Sequence, residues 1–149
     1  MAEVADPELP VLTIDDLGIL RDVTVEAGHH ITVTVTPTYS GCPAMDSIRT
    51  DVTSALADKG YRDVTVQLVL APAWTTDWMS EAGRSKLLDY GIVPPQPREG
   101  GAVMVSLSLR CPQCGSPDTR ELSRFGSTAC KGLWVCNTCK EPFDHFKAI

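Results

Sequence analysis

Six cysteines define the chemistry available to this chain, and their spacing sorts them. Cys111-Pro112-Gln113-Cys114-Gly115 and Cys136-Asn137-Thr138-Cys139 form two Cys-x-x-Cys pairs with 21 residues between them. Two intervening residues let a tight turn aim both thiolates at one ion while backbone N–H groups bond to the sulfurs. Gly115 permits the positive φ that such turns use. Two turns of this kind supply four thiolates, the donor set of a tetrahedral metal: zinc by default, with iron in the same geometry left open by the spacing. A module this small cannot hold together on buried area alone, so closure on a metal would account for its folding. Cys130 precedes Cys136 by six positions. It could replace one ligand, serve as an extra thiol beside the four, or pack inertly. His145 reads as a surface or strand residue rather than a ligand, and His29 and His30 fall at a hairpin tip.

Cys42 stands alone in Thr38-Tyr39-Ser40-Gly41-Cys42-Pro43. A strand ends near Thr36 and a helix starts at Pro43 or just after, which places Cys42 at the N-cap. The helix's free N–H groups and positive dipole end should favour a thiolate there and lower the thiol pKa. Such a sulfur could ligate a metal, accept a cluster or act as a nucleophile; a structural cysteine is the plainer alternative. Asp6-Pro7-Glu8 sets two carboxylates around a proline, the composition of a turn or helix cap. Trp74, Trp78 and Met79 read as core packing or, alternatively, as a docking patch. The chain has no Gly-x-Gly-x-x-Gly or Walker phosphate loop, no Gly-x-Ser-x-Gly elbow and no His-Glu-x-x-His pair, so a self-contained enzyme is hard to build from it.

The elements that must position these residues follow from periodicity. Val23, Val25, Ile31, Val33 and Val35 alternate with threonines through residues 18–37, predicting a hairpin. Over 42–59 the apolar positions Met45, Ile48, Val52, Ala55 and Leu56 recur at three and four, predicting an amphipathic helix that Gly60 ends. A third strand is expected at 64–70, a second helix at 80–90 and a shorter opening helix at 10–16. The result is an α+β fold, with a small three-stranded sheet packed with helices. The Pro/Gly-rich stretch 94–101 reads as a linker, giving a domain over 1–93 and a four-cysteine, zinc-ribbon-like module over 102–149. Short strands are expected at 119–125 and 133–135.

Charge follows the same division. Residues 1–100 carry seven Lys/Arg against fifteen Asp/Glu, and residues 101–149 six against four, for an overall charge of −6. That balance argues against a general nucleic-acid or anionic-membrane binder. No apolar run approaches the roughly 20 residues of a spanning helix. No secretory signal is readable at the start, so the cysteines are expected in a reducing cytoplasm, suited to metal binding or thiol chemistry rather than disulfides. A thiol-redox role for one Cys-x-x-Cys pair is a further reading, which tight metal content would exclude.

Asp6-Pro7-Glu8, Ile14-Asp15-Asp16-Leu17-Gly18-Ile19-Leu20 and Thr36-Pro37-Thr38-Tyr39-Ser40-Gly41-Cys42-Pro43 together resemble the SufT-like metal–sulfur cluster biosynthesis family over roughly residues 6–93. The tract Trp74-Thr75-Thr76-Asp77-Trp78-Met79-Ser80-Glu81-Ala82-Gly83-Arg84 narrows the resemblance. So does the tail with Phe125-Gly126-Ser127-Thr128-Ala129-Cys130-Lys131, Cys136, Cys139 and Glu141-Pro142-Phe143. These motifs resemble the PaaD family, the D subunits of the bacterial phenylacetyl-CoA epoxidase system of phenylacetate catabolism. The resemblance implies a non-catalytic accessory factor that helps assemble or deliver an iron–sulfur cluster. Its implied client is the reductase that feeds the epoxidase's di-iron subunit. Cys42, Asp6 and Glu8 are the implied transfer residues, with a transient cluster as cargo. The alternative is a structural subunit bridging oxygenase and reductase, which would lean on Trp74 and Trp78 rather than on the thiol.

Overall fold

Alternation of β-branched residues with threonine becomes an antiparallel hairpin in the computed structural model, which describes residues 3–26, 29–96 and 109–148. Strands β1 (Leu20–Val25) and β2 (Ile31–Val35) pair with Val23 opposite Val33 and Val25 opposite Ile31. Helix α1 (Ala44–Ala57) then crosses to β3 (Val64–Leu68), which joins β2 in parallel, so the sheet order is β1-β2-β3. The residues buried on α1 are Ala44, Ile48, Val52 and Leu56, four apart and therefore on one stripe. Its C-terminus closes as a Schellman turn: Gly60 sits at φ 92°, the Gly60 N–H donates to Ala57 O at 2.9 Å, and the Tyr61 N–H donates to Leu56 O at 3.0 Å. Ile31, Val33 and Val35 form the buried face of the central strand, with Leu12, Ile14, Leu17 and Ile19 completing the core.

Three expectations for this region need correction. Residues 10–16 form turns rather than a helix. The Asp16 carboxylate accepts from the Thr13 N–H at 3.0 Å and hydroxyl at 2.9 Å, and Thr13 Oγ1 accepts from the Asp16 N–H at 3.0 Å. Side chains that satisfy the backbone locally compete with a helix. Thr13 is also bridged to Ala5. Second, Val23, Val25, Leu68 and Leu70 are exposed, although the alternation reads as a buried face. Helix α1 packs against β3, so Val23 and Val25 on β1 at the far edge lie beyond its cover, while Leu68 ends β3 and Leu70 follows it. Third, α1 is capped by Pro43, and Cys42 lies one residue outside the helix.

Trp74 and Met79 are core residues, and the Trp74 indole donates to Leu17 O at 2.9 Å. Trp78 lies half-buried with the Arg21 guanidinium 3.6 Å from its ring centre. Gly18 has no substitute here: at φ 68°, a Cβ would sit 2.5 Å from Trp78 O.

The chain divides into two compact units, Met1–Gly83 and Arg84–Ile149, with the division inside α2 (Glu81–Asp89). The second unit holds a four-stranded sheet in the order β4-β7-β6-β5. β5 (Thr119–Ser123), β6 (Lys131–Cys136) and β7 (Pro142–Phe146) are antiparallel neighbours, and β4 (Ile92–Val93) pairs with β7 in parallel. β4 therefore hydrogen-bonds into the second sheet although it precedes the Pro/Gly stretch. Arg84 is buried and donates to Pro95 O, tying the chain after β4 to α2. Positions 97–101 of the expected linker and 102–108 of the expected module lie outside the described residues. Among the described residues, no helix is long and apolar enough to cross a membrane.

Candidate functional site

The two Cys-x-x-Cys turns are built alike. After the second cysteine of each, the chain turns back on itself. The Gly115 N–H donates to Cys111 O at 2.9 Å, and the Lys140 N–H donates to Cys136 O at 3.0 Å. Both residues occupy the left-handed region, Gly115 at φ 72° and Lys140 at φ 67°. One turn precedes β5 and the other joins β6 to β7, so the β5–β6–β7 pairing brings them face to face. Asn137 reinforces the junction by donating from its backbone to Asp118 O and from its side chain to Asp118 Oδ1, each at 2.8 Å. Leu109, Phe143, Val93 and Trp134 pack around Cys111 and Cys136.

This arrangement gathers Cys111, Cys114, Cys136 and Cys139 with all four sulfurs within 4.8 Å of one another. Zinc bound to four thiolates at about 2.3 Å places its sulfurs about 3.8 Å apart. The Cys111–Cys139 and Cys114–Cys136 sulfurs stand at 3.7 and 3.6 Å, so the donor set fits a tetrahedral ion. Electrostatics point the same way. The Cys139 N–H bonds to Cys136 Sγ at 3.5 Å and is the main reason the Cys136 thiol is drawn down to about 6. At Cys139 the Glu141 N–H acts in the lowering direction, but desolvation and the sulfurs of Cys114, Cys136 and Cys111 outweigh it and hold the thiol up at about 12. Four sulfurs this close cannot all ionise unless a cation joins them. The four cysteines form a metal-binding site.

Cys130 is not among the four. It is buried, with Sγ 3.0 Å from Thr128 Oγ1. His145 lies on β7 with its ring T-shaped to that of Trp134, centroids 6.3 Å apart, and desolvation pushes its pKa down to about 4. Neither residue belongs to the four-sulfur group.

In the first unit the fold draws Cys42, Asp6 and Glu8 into one electrostatic neighbourhood. Cys42 is half-buried, on the turn where its own N–H donates to Tyr39 O at 3.3 Å. Its thiol pKa is raised, not lowered as the N-cap expectation held. Burial is the main cause, and the charges of Glu8 and Asp6 add to it. The Ala44 N–H and the Tyr39 hydroxyl, both hydrogen-bonded to the sulfur, pull the other way without cancelling the rise. The expectation went astray chiefly because the fold buries the sulfur, and further because two carboxylates from residues 6–8 act on it. Asp6 itself is buried, and its Oδ1 accepts from the Glu8 N–H at 2.9 Å and the Leu9 N–H at 2.8 Å. The turn expected from Asp6-Pro7-Glu8 is thus present, and desolvation still raises the carboxyl's pKa above its ordinary value. Sequence reasoning missed Tyr39, because nothing local marks a loop tyrosine as a thiol's partner. Lys140 was legible in the sequence as the residue standing where the first turn has Gly115, and it adopts the same left-handed backbone.

Comparison with known proteins covers both units. Residues 1–68 match the family "Iron-sulfur cluster assembly protein", and residues 96–147 match "PaaD zinc beta ribbon domain". A proposed 1,2-phenylacetyl-CoA epoxidase D subunit from Escherichia coli (strain K12) is 47% identical over 149 residues, 100% of this chain and 89% of that protein. An Fe-S protein maturation auxiliary factor from Porphyromonas gingivalis is 41% identical over 85 residues, 56% of this chain and 80% of that protein. The Fe-S protein maturation auxiliary factor YitW from Bacillus subtilis is 38% identical over 88 residues, 58% of this chain and 85% of that protein. With an assembly-type first unit, a four-cysteine second unit and full-length likeness to the epoxidase component, the chain belongs to the PaaD family of phenylacetyl-CoA epoxidase D subunits.

Proposed function

We propose that this protein is a non-catalytic accessory factor that delivers iron–sulfur cargo within the phenylacetyl-CoA epoxidase system, with the reductase component as its client. The observation that carries this reading is a pairing within one chain. An assembly-type unit presents a half-exposed cysteine outside the four-sulfur group, and the whole chain resembles the D component of that epoxidase. A cytoplasmic location suits the reading, because free thiols persist there.

Cys42 is the transfer residue of this proposal. Burial and the Glu8 and Asp6 carboxylates keep its sulfur protonated until cargo arrives. A thiol must lose its proton to ligate. Cationic cargo that approaches the two carboxylates offsets their charge, the proton leaves to solvent, and the sulfur becomes a ligand. A single sulfur releases what it binds, which suits delivery rather than storage. The four-cysteine site holds zinc in this reading and serves as a scaffold; iron in the same four sulfurs is the alternative. Metal and acid-labile sulfide analysis of protein purified without oxygen tests this assignment. About one zinc and no sulfide per chain is the expected result, and stoichiometric sulfide would make the ribbon a cluster carrier.

Replacing Cys42 with Ala tests the transfer role. The variant should fold and keep its zinc, while reductase matured beside it carries several-fold less iron. A reductase with full iron and activity beside the variant rules out this role for Cys42.

A further inference from the structure

The second unit displays an aromatic side chain that its own core leaves out. Phe143 and Phe146 are buried at 6% and 1% exposure, whereas Phe125 is 69% exposed. It stands on the loop between β5 and β6, and that loop is pinned at successive points. The Phe125 N–H donates to Ser123 Oγ at 3.1 Å, the Gly126 N–H to Lys131 O at 2.8 Å, and the Lys131 N–H to Thr128 O at 3.2 Å. The Lys147 N–H donates to Cys130 O at 2.9 Å, fastening the far end of the loop to the chain after β7. Beneath it the buried Lys131 ammonium pairs with Asp144 at 3.4 Å. Gly126 fits closely over that pair, since a Cβ there would lie 3.0 Å from Asp144 Oδ1. An apolar ring held in the open by a fixed loop has already lost the conformational entropy that binding would otherwise cost.

One cation lies over the ring and another precedes it in the chain. Lys147 Nζ lies 4.8 Å from the Phe125 ring centre and donates to Arg124 O at 3.1 Å, and Arg124 itself is exposed. Leu122, 46% exposed at the β-bulge of edge strand β5, adds apolar surface nearby in the chain. Asp144 is already engaged by Lys131. An exposed phenyl ring with a lysine over its face and an exposed arginine as its chain neighbour has the composition of an interface anchor whose partner is acidic. The comparisons indicate which partner. The maturation-factor relatives align over only 85 to 88 residues, while the epoxidase relative aligns over all 149. The ribbon therefore accompanies the epoxidase assignment rather than the general assembly role.

We propose that Phe125, with Arg124 and Lys147, is the docking anchor for an acidic surface on a protein component of the epoxidase system, with the ring entering an apolar recess there. This rests on the functional reading above. The test uses the full-length chain on a biosensor against the purified reductase and the purified oxygenase components, at 50 and 300 mM NaCl. Binding of wild-type protein to one component, weakened at least tenfold by Phe125→Ala, is expected. The double variant Arg124→Glu/Lys147→Glu should weaken binding at least tenfold at 50 mM and flatten the salt dependence. Both variants must retain the metal content and β-sheet amide protection of the wild type. Variants within twofold of wild type, or wild-type protein that binds neither component, overturn the proposal. So does a wild-type dimer that Phe125→Ala dissociates without altering component binding, because the occupant is then a second copy. Iron loading of the reductase by wild-type protein, measured in parallel, separates failure of this surface from failure of the delivery reading.

Discussion

The two units of this protein organise sulfur in opposite ways. In the second, β-pairing draws four cysteines from two turns to within 4.8 Å of one another, where their mutual repulsion calls for a cation. In the first, a single cysteine is half-buried beside carboxylates that hold its proton in place. The stabilising forces differ as well. The first unit buries Leu12, Ile14, Leu17, Val33, Ile48 and Val52, none of them a metal ligand. The ribbon's core around its cysteines is small, and two of its buried members, Cys111 and Cys136, are themselves ligands. The clustered sulfurs make a metal-binding site and the solitary one stays a protonated thiol, a contrast that suits the scaffold-and-delivery reading proposed above.

Removing the metal is the most severe way to break the comparison. Chelation, or Cys136→Ser, should withdraw on the order of 10 kcal/mol from the ribbon. Amide exchange in β5, β6 and β7 should then become fast while β1, β2 and β3 stay protected. Loss of protection in both units would mean that they do not differ in this way. The converse experiment is Gly18→Ala, which forces a Cβ against Trp78 O at 2.5 Å in a left-handed backbone. It should cost the first unit about 3–5 kcal/mol in urea unfolding and leave the ribbon's metal content unchanged.

Two smaller effects sharpen the contrast from the ribbon's side. His145 has its pKa lowered to about 4 by desolvation, so the folded state favours the neutral ring. Its contribution is intact above the unfolded value near 6.5 and is lost as pH falls from there toward 4, a total of about 3 kcal/mol. Phe in place of His145 should remove that slope, so that unfolding of both proteins between pH 7 and 4 shows the wild type losing stability relative to the variant. Lys140 at φ 67° carries the strain that Gly115 avoids in the matching turn. Lys140→Gly should therefore raise ribbon stability by about 1 kcal/mol without changing metal stoichiometry. A destabilised variant would show that the Lys140 ammonium's contact with Asn137 O at 2.5 Å outweighs the strain.

Much of this was legible in local pattern. The Cys-x-x-Cys spacing announced the four-sulfur site, because a turn that aims two sulfurs needs only neighbouring residues. The threonine-and-valine alternation gave β1 and β2, and the four-residue spacing of Ile48, Val52 and Leu56 gave α1. Strands β4 and β7 were not legible. Two residues are too few to set a period, and Pro142-Phe143-Asp144-His145-Phe146 reads as a mixed tail until β6 pairs with it. The exposure of Val23 and Val25 was equally hidden, since alternation reports a strand but not what covers it.

The state of Cys42 marks the limit most clearly. Its position at a strand-to-helix corner is written in Gly41-Cys42-Pro43, and the chain's own residues determine that a thiol stands there. Whether that thiol ionises depends on how deeply it is covered and on which charges face it. Asp6 and Glu8 reach it from the far end of the unit only because the opening turns fold back through the Ala5–Thr13 bridge. Short-range preferences are carried by adjacent residues, so a linear reading recovers them. Burial and long-range charge are sums over neighbours that only folding assembles.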